Sequence, residues 1–267
     1  MGRPIFIIGS PRSGTSILTW SLGQHPNLYP LEETVWFGPF GRWAETAFEM
    51  GASRDKRSQL SAMGITRERF MRGLGEAIDA MILEHRSWPA QAVAEDTSFA
   101  VVRRPDDPKQ RWVDGTPENS NCVDQLHALF PDACFIHALR VPASVILSLG
   151  NFAVIGGGSH RVDEACREWL RHVRACLAAE RVLPADRVMR LAHRDLEQSP
   201  MLSIRRCLAF LNEPWNDDCL LPLAHRINSS APDRPDARIR LDKRLLAEVR
   251  DICAELGLEQ PPSMVPR

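Results

Sequence analysis

The chain of 267 residues carries 33 basic and 34 acidic side chains, and its formal net charge of −1 excludes the overall positive field that holds proteins to nucleic acid or to an anionic membrane. Hydrophobic residues at 44% and charged residues at 25% are typical of a folded globular protein, not of a disordered, fibrous or membrane-embedded one. The first apolar run, residues 5–8, is too short for a signal peptide or a membrane span, so we expect a cytoplasmic protein without stable membrane insertion. The length is compatible with one α/β domain, residues 1–267, and the balanced charge gives no reason to expect a nucleic-acid partner.

The first predicted elements are a strand, a tight loop and a helix. Residues 4–8 are β-branched and aromatic and stop at Gly9, as expected of a strand buried on both faces. Apolar residues at helical spacing then predict a helix from Thr15 to Leu22, which Gly23 ends.

The next part of the chain, from Pro39 to about Ala94, has a helical pattern rich in charge. We predict surface helices within residues 40–110 that form a lid or a wall beside the acceptor. The segment 103–109 contains two prolines, which limit regular structure and predict a loop.

A second buried strand is predicted at residues 134–139, after a helical stretch at 120–130 and directly before Arg140. A helix at 163–181, a strand at 188–191 and a helix at 200–211 follow. Strands that alternate with helices predict an α/β fold, a P-loop-like three-layer sandwich whose central parallel sheet is covered by helices on both faces.

The seven cysteines are an odd number without a C-x-x-C pair. This pattern disfavours both a disulfide framework and a zinc site. We expect the cysteines to be small buried apolar residues, because free cysteine is among the most buried residue types.

The segment 9–16 has the G-x-x-x-x-G spacing of a phosphate loop and stands between the first strand and the first helix. Backbone N–H groups and the positive end of the helix can surround an anion there. The lysine of ATP-binding loops is replaced by Thr15, while Arg12 offers a planar fork of donors. A glycine turn that only joins strand to helix is the alternative. The candidate ligand residues are Ser10, Pro11, Arg12, Ser13, Gly14, Thr15 and Ser16.

Residues 11–16 resemble the donor 5′-phosphosulfate loop of the sulfotransferase family that uses PAPS (3′-phosphoadenosine 5′-phosphosulfate), in its glycan and bacterial types. Two later blocks, 112–119 and 130–148, resemble the family in the same order. In that family an arginine at a strand end and a serine eight residues later bind the donor's 3′-phosphate, and the resemblance assigns these roles to Arg140 and Ser148. A surface salt bridge and a plain helix serine are the alternatives for these two residues.

The strand-end position of Arg140 supports this assignment independently, because open α/β sheets bind ligands at their carboxyl edge. Pro142 suits the first turn of a helix that brings Ser148 alongside.

Two weaker matches lie at residues 192–200 and 227–230, and the second implies that Asn228 and Ser229 lie near the donor's 3′-phosphate. The chain also departs from the family pattern. Many relatives have an acidic residue at the place of Val141 and a basic one at the place of Ala143, and Gly115 stands where a lysine is frequent. The departures leave the two phosphate contacts untouched.

The resemblance implies sulfuryl transfer from PAPS to a hydroxyl or amine acceptor, with PAP as product and no metal. Arg12, with Thr15 and the loop N–H groups, would neutralise charge on the leaving phosphate. The predicted general base is Glu33, which precedes an aromatic pair in the way the family's base does, and Glu32 is the alternative. A small molecule, a lipid or a glycan is the expected acceptor. A homodimer is expected because two-fold dimers are the commonest oligomers of soluble proteins.

Two other functions fit the same loop and sheet. The first is a P-loop kinase of small molecules, which normally needs a lysine after the second glycine and a magnesium-binding acid. The second is a non-catalytic nucleotide-binding protein that has kept the donor site and lost turnover.

Overall fold

The computed structural model describes residues 2–86, 106–151, 160–224, 238–259 and 263–267. The strands are β1 Ile5–Ile8, β2 Leu28–Pro30, β3 Arg111–Asp114, β4 Cys134–Leu139, β5 Val188–Ala192, β6 Ile239–Leu241 and β7 Met264–Pro266. The α-helices are α1 Thr15–Gly23, α2 Phe37–Ala52, α3 Gln59–Ala62, α4 Arg67–Glu84, α5 Val123–Leu129, α6 Pro142–Gly150, α7 Val162–Val182, α8 His193–Gln198, α9 Pro200–Leu211 and α10 Lys243–Leu256.

The central sheet has five parallel strands in the order β2-β3-β1-β4-β5. Strand β1 lies between β3 and β4, and Ile8 is in register with His137. The two strands therefore end side by side at the carboxyl edge, which places the loop after β1 next to Arg140.

Helices cover both faces of this sheet, because successive side chains of a strand point to opposite sides. Phe6 and Ile8 pack with residues of α2, α4, α5 and α7, whereas Ile5 and Ile7 pack with residues of α1 and α9. The predicted three-layer sandwich is confirmed. A third apolar cluster joins α6, α7 and α10 to the two-stranded parallel sheet β6-β7, which the sequence did not predict.

The helical pattern predicted after Pro39 agrees with α2, α3 and α4. Residues 87–105, which include part of the loop predicted at 103–109, lie outside the described residues. The stretch predicted as a helix at 120–130 divides into a short 3-10 helix, Pro117–Cys122, and α5. Within the described ranges, none of the helices combines the length and apolarity that a membrane span requires.

All seven cysteines are buried and free, as predicted. A different buried group, the ammonium of Lys109, shapes the turn between α1 and β2. Its Nζ donates hydrogen bonds to the carbonyl oxygens of Gly23, His25 and Leu28 at 3.0, 2.8 and 2.9 Å. Three carbonyl groups of one turn therefore converge on a single cation.

Candidate active site

The loop after β1 contains two residues in the left-handed backbone region, Arg12 with φ 68° and Gly14 with φ 94°. This conformation costs a non-glycine residue about 1–2 kcal/mol, so Arg12 is strained. The turn is closed by the Ser13 N–H, which donates to the Ser10 carbonyl at 3.1 Å, and α1 begins directly after it at Thr15. The N–H groups at the start of α1 therefore stand next to the loop.

Arg12, Arg140 and Ser148 come together at the carboxyl edge of the sheet. Arg140 donates from Nη1 to the backbone carbonyl of Arg12 at 3.0 Å, and Arg12 donates from Nε to Oγ of Ser148 at 2.9 Å. Trp169 donates from Nε1 to the Arg140 carbonyl at 3.1 Å and so fixes the end of β4.

The two guanidinium groups lie close enough to affect each other. Burial lowers the pKa of Arg12, and the positive charge of Arg140 lowers it further. Two like charges held near each other repel, and an anion between them would relieve that repulsion. The geometry therefore suits a ligand with anionic groups.

The loop also contains a polar atom that a ligand could satisfy. Among the described residues, the hydroxyl of Ser13 is buried and has no hydrogen-bond partner. Burying a hydroxyl without a partner costs free energy, and a phosphate or sulfate oxygen in the loop would supply the missing bond. The residues present therefore fit the phosphosulfate group that the sequence predicts for this loop.

Glu33 lies beside this loop, at a cavity of about 280 Å³. The cavity joins the first turn of α1 to the segment after β2, so it brings the candidate base next to Ser16. Both Glu32 and Glu33 line it, and the cavity alone does not choose between them. The lining residues are Ser16, Thr19, Trp20, Leu31, Glu32, Glu33 and Gly115.

The pKa of the Glu33 carboxyl is raised above its ordinary value. Partial loss of contact with water, for a side chain that stays exposed at the cavity, is the largest cause, and the negative charges of Glu118, Asp114 and Glu32 raise the pKa further. A carboxylate with a raised pKa is a better proton acceptor at neutral pH than an ordinary one.

Asp114, at the end of β3, fixes the segment that carries Glu33. Its buried carboxylate accepts hydrogen bonds from the hydroxyl of Thr34, from N–H and Oγ1 of Thr116 at 2.9 and 2.6 Å, and from Nδ2 of Asn119 at 2.6 Å. Thr34 in turn donates its N–H to Oγ1 of Thr116 at 2.6 Å. Burial raises the pKa of Asp114, and the hydrogen bonds from Thr116, Thr34 and Asn119 oppose that rise.

No role was predicted for Asp114 from the sequence. The available signal was an acidic residue followed by Gly-Thr-Pro inside the family block 112–119. Its hydrogen-bond partner Thr34 lies 80 positions away in the chain, which no local pattern indicates.

His193 lies against the phosphate loop. A Cβ atom added at Gly14 would be 2.6 Å from Cδ2 of His193, and Nδ1 of His193 is 3.4 Å from a carboxylate oxygen of Glu197. The weak family match at residues 192–200 is therefore next to the loop. The other predicted donor contacts in such weak matches, Asn228 and Ser229, lie outside the described residues.

His25 and His137 both have partners within the fold. Nε2 of His25 is 3.1 Å from the Pro214 carbonyl, and its Nδ1 accepts from the Asn27 N–H at 3.2 Å. His137 of β4 pairs with Glu180 of α7, with 2.7 Å between Nδ1 and Oε1. Within the part of the chain that the structure describes, no His, Cys, Asp and Glu side chains are grouped so that three could share a metal ion.

The parallel sheet, the loop after β1, and Arg12 and Arg140 at the carboxyl edge of the sheet define a P-loop-like α/β protein. The profile of the Sulfotransferase family matches residues 4–217. The chain therefore belongs to the sulfotransferase family, whose enzymes transfer sulfuryl groups from PAPS, and the resemblance predicted from residues 11–16, 112–119 and 130–148 is confirmed.

Curated relatives are similar over most of this chain. The protein-tyrosine sulfotransferase of Drosophila melanogaster is 24% identical over 218 residues, which are 81% of this chain and 39% of the relative. Protein-tyrosine sulfotransferase 1 of Danio rerio is 27% identical over 224 residues, 81% of this chain and 55% of the relative. An uncharacterized protein of Aquifex aeolicus (strain VF5) is 25% identical over 233 residues, 82% of this chain and 26% of the relative. The chain thus spans between about a quarter and about half of the length of these relatives.

Solved structures share the fold. The sulfotransferase domain of the Synechococcus PCC 7002 olefin synthase superposes with a TM-score of 0.63 at 21% identity, over 98% of both chains. The sulfotransferase domain of the curacin biosynthetic pathway superposes with a TM-score of 0.61 at 19% identity, over 98% of this chain and 99% of that one. At these identities the likeness shows the fold.

Proposed function

We propose that this chain transfers the sulfuryl group of PAPS to a hydroxyl or amine acceptor and releases PAP. The observation that supports it most is the convergence of Arg12, Arg140 and Ser148 at the carboxyl edge of the sheet, next to a helix N-terminus. Two anionic ends of one nucleotide, its phosphosulfate and its 3′-phosphate, match two guanidinium groups held side by side. ATP-binding loops place a lysine where this chain has Thr15.

In the proposed reaction, the sulfur–oxygen bond to the leaving phosphate breaks and a bond from sulfur to the acceptor oxygen or nitrogen forms. Arg12 and the loop N–H groups stabilise the negative charge that grows on the leaving phosphate. Ser13 and Thr15 supply hydroxyl groups at the same place. Arg140 acts twice, because it carries positive charge and also holds the strained backbone of Arg12.

The acceptor's proton goes to the Glu33 carboxylate in this proposal. Glu33 lines the cavity that reaches Ser16 on the first turn of α1, so base and donor loop face one space. A base must lie within hydrogen-bond reach of the proton it removes, and the cavity allows that for an acceptor placed between loop and base. The segment that holds Glu33 is fixed by Asp114 through Thr34.

We also propose that α2, α3 and α4 form the acceptor side of the molecule. Helix α2 begins at Phe37, four residues after Glu33, and the rings of Trp36, Phe40 and Trp43 follow one another with centroid distances of 5.9 and 6.2 Å. Trp36 and Trp43 are exposed, at 42% and 64%. Exposed aromatic rings next to a base offer an apolar surface to a small-molecule, lipid or glycan acceptor.

A cytoplasmic homodimer completes the proposal. Seven free, buried thiols are compatible with a reducing compartment, and two-fold dimers are the commonest oligomers of soluble proteins. Cell fractionation and analytical ultracentrifugation of the purified chain test these two points.

The experiment that tests the function measures transfer of labelled sulfate from PAPS to a panel of phenols, alcohols, amines and glycans, together with PAP binding by calorimetry. Glu33→Gln is expected to abolish transfer and to retain PAP affinity. Glu32→Gln tests the alternative base, and Glu259→Gln, at an exposed position after α10, is the control that leaves both measurements unchanged.

Three results would contradict the proposal. Stabilisation by ATP with Mg²⁺ and not by PAP would indicate a kinase. PAP binding without transfer to any acceptor would indicate a non-catalytic nucleotide-binding protein. Full activity of Glu33→Gln would remove Glu33 from the mechanism.

A further inference from the structure

The cavity beside the phosphate loop has walls of one sign of charge. Glu32 and Glu33 line it, and its lining contains no lysine or arginine within the described part of the chain. In those same ranges, neither carboxylate has an ion pair or a hydrogen bond from another residue. Charged side chains on a protein surface usually find water or a partner, and these two share one small space.

Further negative charge stands behind these two side chains. The carboxylates of Asp114 and Glu118 are close enough to Glu33 to act on it electrostatically, and no basic residue is among the groups that do so. Asp114 is held by neutral hydroxyl, N–H and amide donors, so its charge is not cancelled by a cation. Any acceptor that enters the cavity therefore meets negative charge on the side of Glu32 and Glu33.

The remaining walls are small or apolar. Trp20 and Leu31 offer hydrocarbon surface, and an indole can lie against a cation as well as against an apolar group. Gly115 forms a bare stretch of backbone: an added Cβ would be 2.0 Å from Oγ1 of Thr19 and 3.1 Å from the Thr15 carbonyl. No basic side chain can be placed at Gly115 without moving Thr19.

We infer that the acceptor carries a positive charge close to its nucleophilic group, and that Glu32 pairs with this charge while Glu33 receives the proton. The inference rests on the proposed function, because it concerns which acceptor enters the cavity assigned to that reaction. The two adjacent carboxylates would then have different roles, one in binding the acceptor and one in accepting its proton. An anionic acceptor would be repelled by both, and a neutral one would leave Glu32 without a partner.

The test compares acceptors on a common frame that differ in charge. The phenol series is the para-hydroxyphenethyl trimethylammonium ion, its neutral carbon analogue para-(3,3-dimethylbutyl)phenol, and the anion para-hydroxyphenylpropionate. The alcohol series is choline, its neutral carbon analogue with a tert-butyl group, and 4-hydroxybutyrate. A trimethylammonium group holds its charge at every pH and cannot itself accept the sulfuryl group, so the cation and its tert-butyl analogue have the same shape and differ in charge.

With labelled PAPS, we expect kcat/KM to fall from cation to neutral compound to anion in each series, with at least a tenfold difference between cation and anion. Glu32→Gln is expected to shrink this ratio severalfold, and Glu32→Lys to invert it. Glu259→Gln, at the exposed position after α10, is expected to leave the ratio unchanged. Ligand-observed NMR with the PAP-loaded protein gives a second readout that does not depend on turnover.

The possible results distinguish the inferred charge of the acceptor from the proposed sulfuryl transfer itself. A cation that neither binds nor reacts better than the matching anion, with PAP bound normally, overturns the inference and leaves sulfuryl transfer standing. A cation preference that survives both Glu32 substitutions overturns the assignment of Glu32. Loss of PAP binding by the unaltered chain contradicts the proposed function itself.

Discussion

Arg12 donates from Nε to Oγ of Ser148 over 2.9 Å, which joins the phosphate loop to the helix that follows β4. Ser148→Ala is expected to weaken PAP binding about tenfold, because a hydrogen bond to a charged group contributes about 1.5 kcal/mol. Calorimetric titration with PAP measures it. Ser53→Ala, at an exposed serine on the end of α2, is the matched control, and equal affinities for the two variants would contradict a role for this contact.

Gly14 needs its missing side chain for two reasons. Its φ of 94° is strained for any other residue, and a Cβ there would be 2.6 Å from the ring of His193. Gly14→Ala is expected to destabilise the fold by about 1–3 kcal/mol and to reduce PAP affinity at least tenfold. Gly64, with φ 66° and no atom within 4 Å of an added Cβ, is the control, because alanine there costs only the free energy of the left-handed backbone conformation. Denaturant unfolding and PAP titration of both variants test this, and equal losses of PAP affinity would argue against a special role for Gly14.

Asp114 positions Glu33 through the hydroxyl of Thr34. Thr34→Val removes that hydroxyl without changing the side-chain shape, so it is expected to lower kcat about tenfold with a smaller effect on the KM for PAPS. Thr34→Ser keeps the hydroxyl and should retain most of the activity. A loss of about 1–2 kcal/mol in stability is expected for valine, because the buried Asp114 carboxylate loses a donor. Equal kcat values for the valine and serine variants would show that the bond does not position the base.

The raised pKa of Glu33 predicts where activity falls on the acid side. In the proposed reaction Glu33 accepts a proton only as a carboxylate, so kcat/KM should fall as the pH drops through a pKa above the ordinary glutamate value of 4.5. Glu118→Gln removes one of the neighbouring negative charges that raise this pKa. Its acid limb should therefore move to lower pH, and a pH profile of kcat/KM in which it moves to higher pH would contradict the assignment of Glu33.

His137 predicts a pH dependence of stability. Burial lowers its pKa, but the neighbouring Cys176 and Glu180 raise it, with a resulting value of about 9 against an ordinary 6.5. Between these two values the folded chain binds more protons than the unfolded chain. The contribution of His137 to the free energy of unfolding should therefore be fully present below pH 6.5 and be lost as the pH rises from 6.5 towards 9, by up to about 1.4 kcal/mol per pKa unit.

The control for this prediction is His137→Gln, which removes the titrating ring. Denaturant unfolding at several pH values should show a flatter profile for this variant than for the unaltered chain. The same slope in both would assign the pH dependence to other groups.

Elements with strong local signals were predicted closely from the sequence. Strand β4 has the bounds predicted for it, since its six buried residues, all apolar except His137, lead directly to Arg140. Helices α6 and α9 begin at Pro142 and Pro200, where proline suits the first turn. The phosphate loop was predicted for the same reason, because its glycines, Arg12 and helix start are contiguous.

Elements held by distant partners were not predicted. Strand β3 begins with Arg111, a residue type that is usually exposed. Its guanidinium is buried, and Nη1 donates to Oε1 of Glu213 at 2.6 Å and to the Leu211 carbonyl at 2.8 Å. Strand β2 has three residues and ends in Pro30, too short for a periodic signal. The Asp114 contacts belong to the same class, because the donor on Thr34 comes from another part of the chain.

The turn that leads from the phosphate loop's helix to the acidic segment is organised around Lys109, in the way that other proteins organise a loop around calcium. Here the ion is covalently part of the chain, so it cannot dissociate, be exchanged or be stripped by a chelator. Its weakness is chemical: acetylation during synthesis, or replacement by a neutral residue, would remove the charge and leave three inward-facing carbonyl oxygens without their shared donor. The path of the chain from α1 to β2 would then lose the cation that organises it.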